Sequence, residues 1–405
     1  MRDIEGGICA PQGFKAEGVH CGIRKNKQKR DLALIVSDVR CTAAAVYTTN
    51  KVKGAPIAVT RSNIADGYAQ AVICNSGNAN TCNADGELKA QRMCELAAQY
   101  TGVDAKDVIV ASTGVIGQVL PIEPIEKGMP SLSEGLSYYG SGNAAEAIMT
   151  TDTVKKEFAV GFMTGGKHCR IGAIAKGSGM IHPNMATLLC FLTTDVAISA
   201  DALHSALYDV IQDTLNMVSI DGDTSTNDMV SILANGEARN AVIEDTESDD
   251  YRAFKNALTY VMTKVSRAIA KDGEGATRLM ECKVSGAKDK ATAKTIAKSV
   301  VCSSLLKAAI FAADANWGRI LCAIGYADAE FDITKIDVDL ASSKGVIAVC
   351  RGGNGVEFSE EKAKEILLED EVQILVRCND GAAEAVAWGC DLTYDYVKIN
   401  ADYRT

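Results

Sequence analysis

Cys169-Arg170-Ile171-Gly172-Ala173-Ile174 runs into Ala175-Lys176-Gly177-Ser178-Gly179-Met180-Ile181-His182-Pro183-Asn184-Met185-Ala186-Thr187, and Leu188-Leu189-Cys190-Phe191-Leu192 follows. The outer pieces are short and apolar, and they spell strands. The loop between them holds two glycines and a proline, and it ends on a small residue before a threonine. If the loop strains the Ala186–Thr187 peptide, the Thr187 hydroxyl can attack the Ala186 carbonyl. The amide becomes an ester, and water finishes the cut. The new chain then begins with a free threonine, whose α-amine has an ordinary pKa of about 8. That amine lies beside its own Oγ and can serve as general base, so no His or Asp partner is required. The β-methyl restricts χ1 and helps to aim the oxygen. An Ala-Thr step before a strand is otherwise an ordinary structural feature; Gly177, Gly179 and Pro183 single this one out.

Outward from the loop, the first half alternates apolar runs with turn clusters. Strands are expected at 32–36, 43–47, 71–74, 108–111 and 158–163, with helices at 86–100 and 141–150. The run at 71–74 empties into Asn75-Ser76-Gly77-Asn78-Ala79-Asn80, a composition that tolerates left-handed backbone. In the second half, Ser199 caps a helix carrying Leu203, Leu207, Val210, Ile211, Leu215 and Val218. A second helix carries Phe254, Leu258, Val261, Val265 and Ile269 and stops at Gly273. Further expectations are a helix at 292–307, strands at 336–350, a Ser359-capped helix, a strand at 372–378 and a short helix at 381–389. The mixture places the chain in the α/β or α+β class with layered sheets. At 405 residues it exceeds the usual size of one core, so two domains or layered subdomains are expected.

Composition narrows the function classes. The net charge of −10 opposes a phosphate-backbone binder. The one basic run, Arg24-Lys25-Asn26-Lys27-Gln28-Lys29-Arg30, reads as a solvated hairpin tip. Fourteen cysteines are scattered without any C-x-x-C, so zinc knuckles and dithiol redox chemistry lack support. Free Cys in apolar runs, such as Cys74, Cys190, Cys302 and Cys322, acts as a small hydrophobe. No signal-peptide core and no membrane-length apolar run is seen, which points to the cytoplasm.

Acyl transfer also needs donors for a developing oxyanion. Thr113-Gly114, at the mouth of a strand, offers a hydroxyl and a close-approach backbone N–H, although the same pair suits an ordinary turn. Competing motifs are incomplete. Gly161-Phe162-Met163-Thr164-Gly165-Gly166-Lys167-His168 matches a phosphate loop until His168 replaces the hydroxyl residue. Gly177-x-Gly179 lacks the third glycine of a dinucleotide fingerprint. His204 reads as a helix-surface residue, and His182 as a packing residue or an aid to processing. The loop from Asp221 to Asp228 is calcium-like in composition but lacks the closing Glu, so it reads as a turn or cap.

These residues resemble the ornithine acetyltransferase family, also called glutamate N-acetyltransferase, of arginine biosynthesis. The matching blocks run from Gly13-Phe14-Lys15-Ala16 through Thr48–Val52, Asn75–Asn80, Ser112–Gly117, Met149-Thr150-Thr151-Asp152-Thr153, Ala175–Leu189, Asp221–Asp228, Gly273–Thr277 and Asn316–Arg319 to Tyr396–Thr405. The resemblance implies a precursor that cuts itself between Ala186 and Thr187 into chains 1–186 and 187–405, which pair as an α2β2 heterotetramer. It implies a layered α/β sandwich, shared with self-processing aminopeptidases, with a smaller C-terminal α/β subdomain. It assigns Thr187 as nucleophile, Thr113 and Gly114 as oxyanion hole, and Thr150, Lys176, Thr187, Glu274, Asn400 and Thr405 as substrate-binding. The implied reaction moves acetyl from N2-acetyl-L-ornithine to L-glutamate by a ping-pong cycle, without metal or cofactor. The resemblance leaves acetyl-CoA open as a second donor. Nucleic acid and membrane are not expected as partners. Two rival readings keep the scaffold and change what it does. One is a self-processing aminopeptidase or amidase, and the other is a small-molecule binder that never cleaves.

Overall fold

A computed structural model describes residues 1–182 and 188–402 of the chain. Among them, two mixed sheets carry the architecture. The larger has nine strands: β1 (Arg2–Asp3), β2 (Phe14–Val19), β3 (Leu32–Tyr47), β4 (Tyr68–Asn78), β5 (Val108–Val115), β6 (Lys156–Thr164), β7 (Lys167–Lys176), β8 (Leu189–Thr194) and β10 (Met229–Ala234). Its order is β1-β6-β7-β8-β10-β3-β4-β5, with β2 paired to β3. The second sheet joins β9 (Val218–Ser219), β11 (Leu279–Ala287), β12 (Asp337–Ser342), β13 (Gly345–Arg351), β14 (Asn354–Gly355), β15 (Glu371–Arg377) and β16 (Ala383–Cys390). The helices are α1 (Ala55–Asn63), α2 (Gly86–Thr101), α3 (Ile122–Glu134), α4 (Ser141–Ile148), α5 (Ala200–Asp213), α6 (Asp249–Lys271), α7 (Lys290–Cys302), α8 (Ser304–Phe311), α9 (Trp317–Gly325), α10 (Glu360–Leu367) and α11 (Tyr394–Asp402).

The centre of the large sheet explains the apolar run after Thr187. Every residue of β8 and β10 is buried. Strand alternation sends Cys190, Leu192, Val230 and Ile232 into one cluster with α5 and α6, and Leu189, Phe191, Met229 and Leu233 into another with α4. Helix α6 supplies Phe254, Leu258, Val261, Val265 and Ile269 to that first cluster. Each such side chain, fully buried, contributes roughly 1.5–3 kcal/mol. Ser248 and Ser199 cap α6 and α5 by accepting from Tyr251 N (3.1 Å) and Ala202 N (3.3 Å). In the second sheet, Met280, Cys282 and Val284 are buried, and α7 packs on β11 and β16. Glu281, of opposite parity, receives Arg267 of α6 and Trp388 Nε1. Helices thus cover both faces of that sheet.

Several expectations change. The segments 32–36 and 43–47 are one strand, β3, broken in register by a bulge between Val36 and Cys41. The Asn75–Asn80 cluster is not a turn throughout, because β4 continues to Asn78 beside β5. Helix α5 ends at Asp213, leaving Leu215 and Val218 beyond it. The stretch 292–307 is two helices, since Ser303 Oγ accepts from Leu306 N and starts α8. The stretch 381–389 is no helix: residues 383–390 form β16, paired antiparallel with β11. Cys322 is exposed and Cys302 half-buried, whereas Cys74 and Cys190 are fully buried. Burial pushes the thiols of Cys74 and Cys190 up, so both are inert core groups. The basic run caps the β2–β3 hairpin with Lys25–Lys29 exposed, while Arg24 and Arg30 turn inward to the carbonyls of Met149 and Gly18. The phosphate-loop look-alike is a second hairpin. Gly165 and Gly166, at φ +55° and +69°, make the two-residue turn between β6 and β7. Among the described residues, no helix is long and apolar enough to cross a membrane.

Candidate active site

Thr113 and Gly114 sit near the end of β5, and both line a small cavity of about 120 Å3. Lys176, the last residue of β7, enters the same cavity and is level with Leu189, the first residue of β8. Thr150 follows α4, Glu274 lies just past α6, and Asn400 comes from α11; all three line it too. The described residues among the expected site positions are therefore brought together from five separate elements. Ala186, Thr187 and Thr405 lie outside the described residues.

Local geometry explains how each wall is set. Gly114 adopts φ +133°, and a Cβ there would overlap the Gly77 carbonyl carbon and approach Asn78 N to 2.5 Å. Behind it, buried Ser112 donates to Asn75 Oδ1 (2.6 Å), and Asn227 Nδ2 donates to the carbonyls of Ala79 (2.5 Å) and Ser112 (3.0 Å). Elsewhere in the lining, the Glu274 carboxylate accepts from Asn400 Nδ2 at 2.7 Å, and Glu274 N donates to Ser178 O at 3.0 Å. A Cβ on Gly179 would overlap that carboxylate, so the glycine makes room for it. The loop after β7 is tied down as far as His182. Asp221 accepts from Met180 N (2.6 Å) and Ile181 N (2.9 Å), and Thr224 Oγ1 donates to His182 O (2.8 Å). Asp221 thus acts as a cap, in keeping with the turn reading of its loop.

The electrostatics are polarised. Lys176 is buried, and among the described residues its ammonium makes no hydrogen bond. Asp152 is buried, and burial opposes its ionisation. The Lys156 and Lys176 charges, with the hydrogen bonds from Gly177 N and Lys156, more than offset that and hold its carboxyl at about 2. Asp228 is fully buried; desolvation raises its carboxyl well above the ordinary range, against the opposing pull of Ser225 and Lys176. His182 sits beneath the loop with Nδ1 3.0 Å from Ser219 Oγ. Burial, and then the Lys298 charge, lower it to about 4, so it packs as a neutral ring near neutral pH. His204 is exposed on α5. Asn227, Asp152, Lys156 and Asp272 shape the cavity and do not stand out individually in the sequence. Their only signal is membership of, or nearness to, the Met149–Thr153, Asp221–Asp228 and Gly273–Thr277 blocks. A larger hollow, about 700 Å3, lies against β11 and β15, but its charges already pair with one another: Arg267 and Lys271 with Glu371, at 2.7 and 3.1 Å.

A layered two-sheet α/β fold with a cation and a carboxylate at one small cavity defines a protein with a small-molecule site. The model of the ArgJ family matches residues 15–405. The arginine biosynthesis bifunctional protein ArgJ 1 of Clostridium acetobutylicum is 50% identical over 393 residues, 97% of this chain and 96% of that protein. The ArgJ protein of Symbiobacterium thermophilum is 49% identical over 407 residues, covering both chains completely. A crystal structure of the ArgJ protein of Bacillus halodurans is 44% identical with a TM-score of 0.50, covering 52% of this chain and 97% of that one. The chain belongs to the ArgJ family.

Proposed function

We propose that this enzyme transfers the acetyl group of N2-acetyl-L-ornithine to L-glutamate through an acetyl ester on Thr187. One observation carries the reading: Lys176 and Glu274 face the cavity that Thr113 and Gly114 line, at the loop leading into β8. An acetylated diamino acid has a carboxylate and a distal ammonium. Lys176 suits the first and Glu274 the second. Thr187 Oγ attacks the acetyl carbonyl, the Thr113 hydroxyl and Gly114 N–H receive the oxyanion, and ornithine leaves. The glutamate amine then takes the acetyl group and frees the hydroxyl. Thr150, Asn400 and the Thr405 terminus complete substrate binding.

The nucleophile arises by self-cleavage between Ala186 and Thr187, giving chains 1–186 and 187–405. The Bacillus halodurans chain supports this division, because nearly all of it aligns on about half of the present sequence. The two chains assemble as an α2β2 heterotetramer in the cytoplasm. The cycle uses no metal or cofactor, and an assay with acetyl-CoA in place of acetylornithine decides whether it also serves as donor. The test is Thr187→Ala. Intact-mass analysis should find one uncut chain, and acetylglutamate formation should fall to background. A cut or active variant would defeat the assignment. Acetate release without acetylglutamate, in the wild type, would favour a hydrolase.

A further inference from the structure

Asp152 belongs to the Met149–Thr153 block, yet it does not line the cavity; it stands one layer behind. Its carboxylate accepts from Thr150 N at 3.0 Å and from Gly177 N, the residue after Lys176, at 2.8 Å. Its third partner is Lys156 Nζ at 2.7 Å, and the Lys156 side chain is only 2% exposed. The same ammonium reaches Asp272 at 2.6 Å. Asp272 accepts in turn from the backbone of Thr153 (3.1 Å) and Val154 (3.3 Å), and its carbonyl accepts from Ser178 Oγ at 2.7 Å. Ser178 O then accepts from Glu274 N. An unbroken chain of bonds thus runs from the Thr150 and Lys176 wall to the Glu274 wall, with Lys156 at its middle.

Simple stabilisation is a poor account of this arrangement. Three charges withdrawn from water commonly stabilise no better than apolar side chains of the same volume. The two aspartates and one lysine carry a net charge of −1, which is balanced once the nearby Lys176 ammonium is counted. Cleavage at 186–187 would also leave Asp152, Lys156 and Lys176 on one polypeptide and Asp272 and Glu274 on the other.

We propose that Lys156 is a positioning residue: by bridging Asp152 and Asp272 it holds the Lys176 and Glu274 walls at one spacing, across the two polypeptides of the mature enzyme. The proposal rests on the acetyltransferase reading for the identity of the ligand. The groups facing Asp152 are Lys156, Lys176 and, through the shared lysine, Asp272.

The test compares the full-length wild type with Lys156→Met and Lys156→Arg. KM and kcat for acetylornithine are measured near neutral pH, with ornithine binding by calorimetry and a thermal melt. Lys156→Met should raise KM by at least ~10-fold with a smaller change in kcat, and Lys156→Arg should recover most of the loss. A folded, cleaved Lys156→Met enzyme with wild-type KM overturns the proposal. If that variant does not fold, Asp152→Asn with Lys156→Met removes both charges together. It should show the same rise in KM, and a wild-type KM there is equally fatal. A wild type that binds ornithine without transferring acetyl defeats the functional reading alone, and the calorimetric comparison still decides the role of Lys156.

Discussion

Two parts of the cavity lining, one at the end of strand β5 and one beyond helix α6, are built by different means. At the strand end, backbone does the fixing. Gly114 lies against the backbone of Gly77 and Asn78, and the buried Asn75–Ser112–Asn227 network sits behind it. At the helix end the backbone is tied as well, Glu274 N to Ser178 O, but the carboxylate itself is placed by a side chain. Glu274 is held by Asn400 from α11, a helix with no buried residue among those described. The contrast matches the chemistry proposed for each end. An oxyanion develops at one place in every half-reaction, so its donors gain from a rigid frame. Ornithine and glutamate differ in their side chains and take turns, so the group that meets those side chains gains from adjustability.

The largest expected effect tests the rigid end. Gly114→Ala meets backbone on two sides at a φ that L residues rarely adopt. It should cost about 3 kcal/mol of stability and more than ~10³-fold in acetylglutamate formation, read by urea midpoint and initial rate. A stable, active Gly114→Ala enzyme would show that this wall gives way, and the contrast would fall. The next effect is smaller and cleaner. Thr113→Ala removes one hydroxyl and leaves the strand intact. It should lower kcat roughly 10²–10³-fold with an unchanged melting temperature and nearly unchanged KM. An unaltered kcat would move the donor elsewhere.

The two ends also differ in how far the sequence reveals them. Thr113-Gly114 is partly readable: the strand before it and the close-approach glycine are local signals, but the pair suits an ordinary turn equally well and its role is named through resemblance. Helix α5 is readable because Ser199 caps it and the apolar spacing is helical. Residues 383–390 mislead because their alanine-rich composition favours a helix, while pairing with β11 decides for a strand. The expected helix 292–307 is too long because Ser303 looks like one polar residue among many until its Oγ is seen to cap α8. The Glu274 end is named only through resemblance. Its supports join residues far apart in the chain, such as Lys156 with Asp272 and Asn400 with Glu274, and no local period encodes those meetings.

The smallest expected effect sharpens the adjustable end. On Gly179 a new methyl would overlap the Glu274 carboxylate, which terminates a side chain and can swing aside. Gly179 itself has an ordinary backbone φ, unlike Gly114, so alanine adds no backbone strain there. Gly179→Ala should therefore fold and self-cleave normally while the carboxylate is displaced. KM for acetylornithine should rise about tenfold, the equivalent of about 1.4 kcal/mol, because its distal ammonium loses its partner. KM for glutamate, which has no such ammonium, should move less. Equal rises for both substrates would mean that Glu274 serves a part common to the two amino acids, and the division of labour between Lys176 and Glu274 would have to be redrawn.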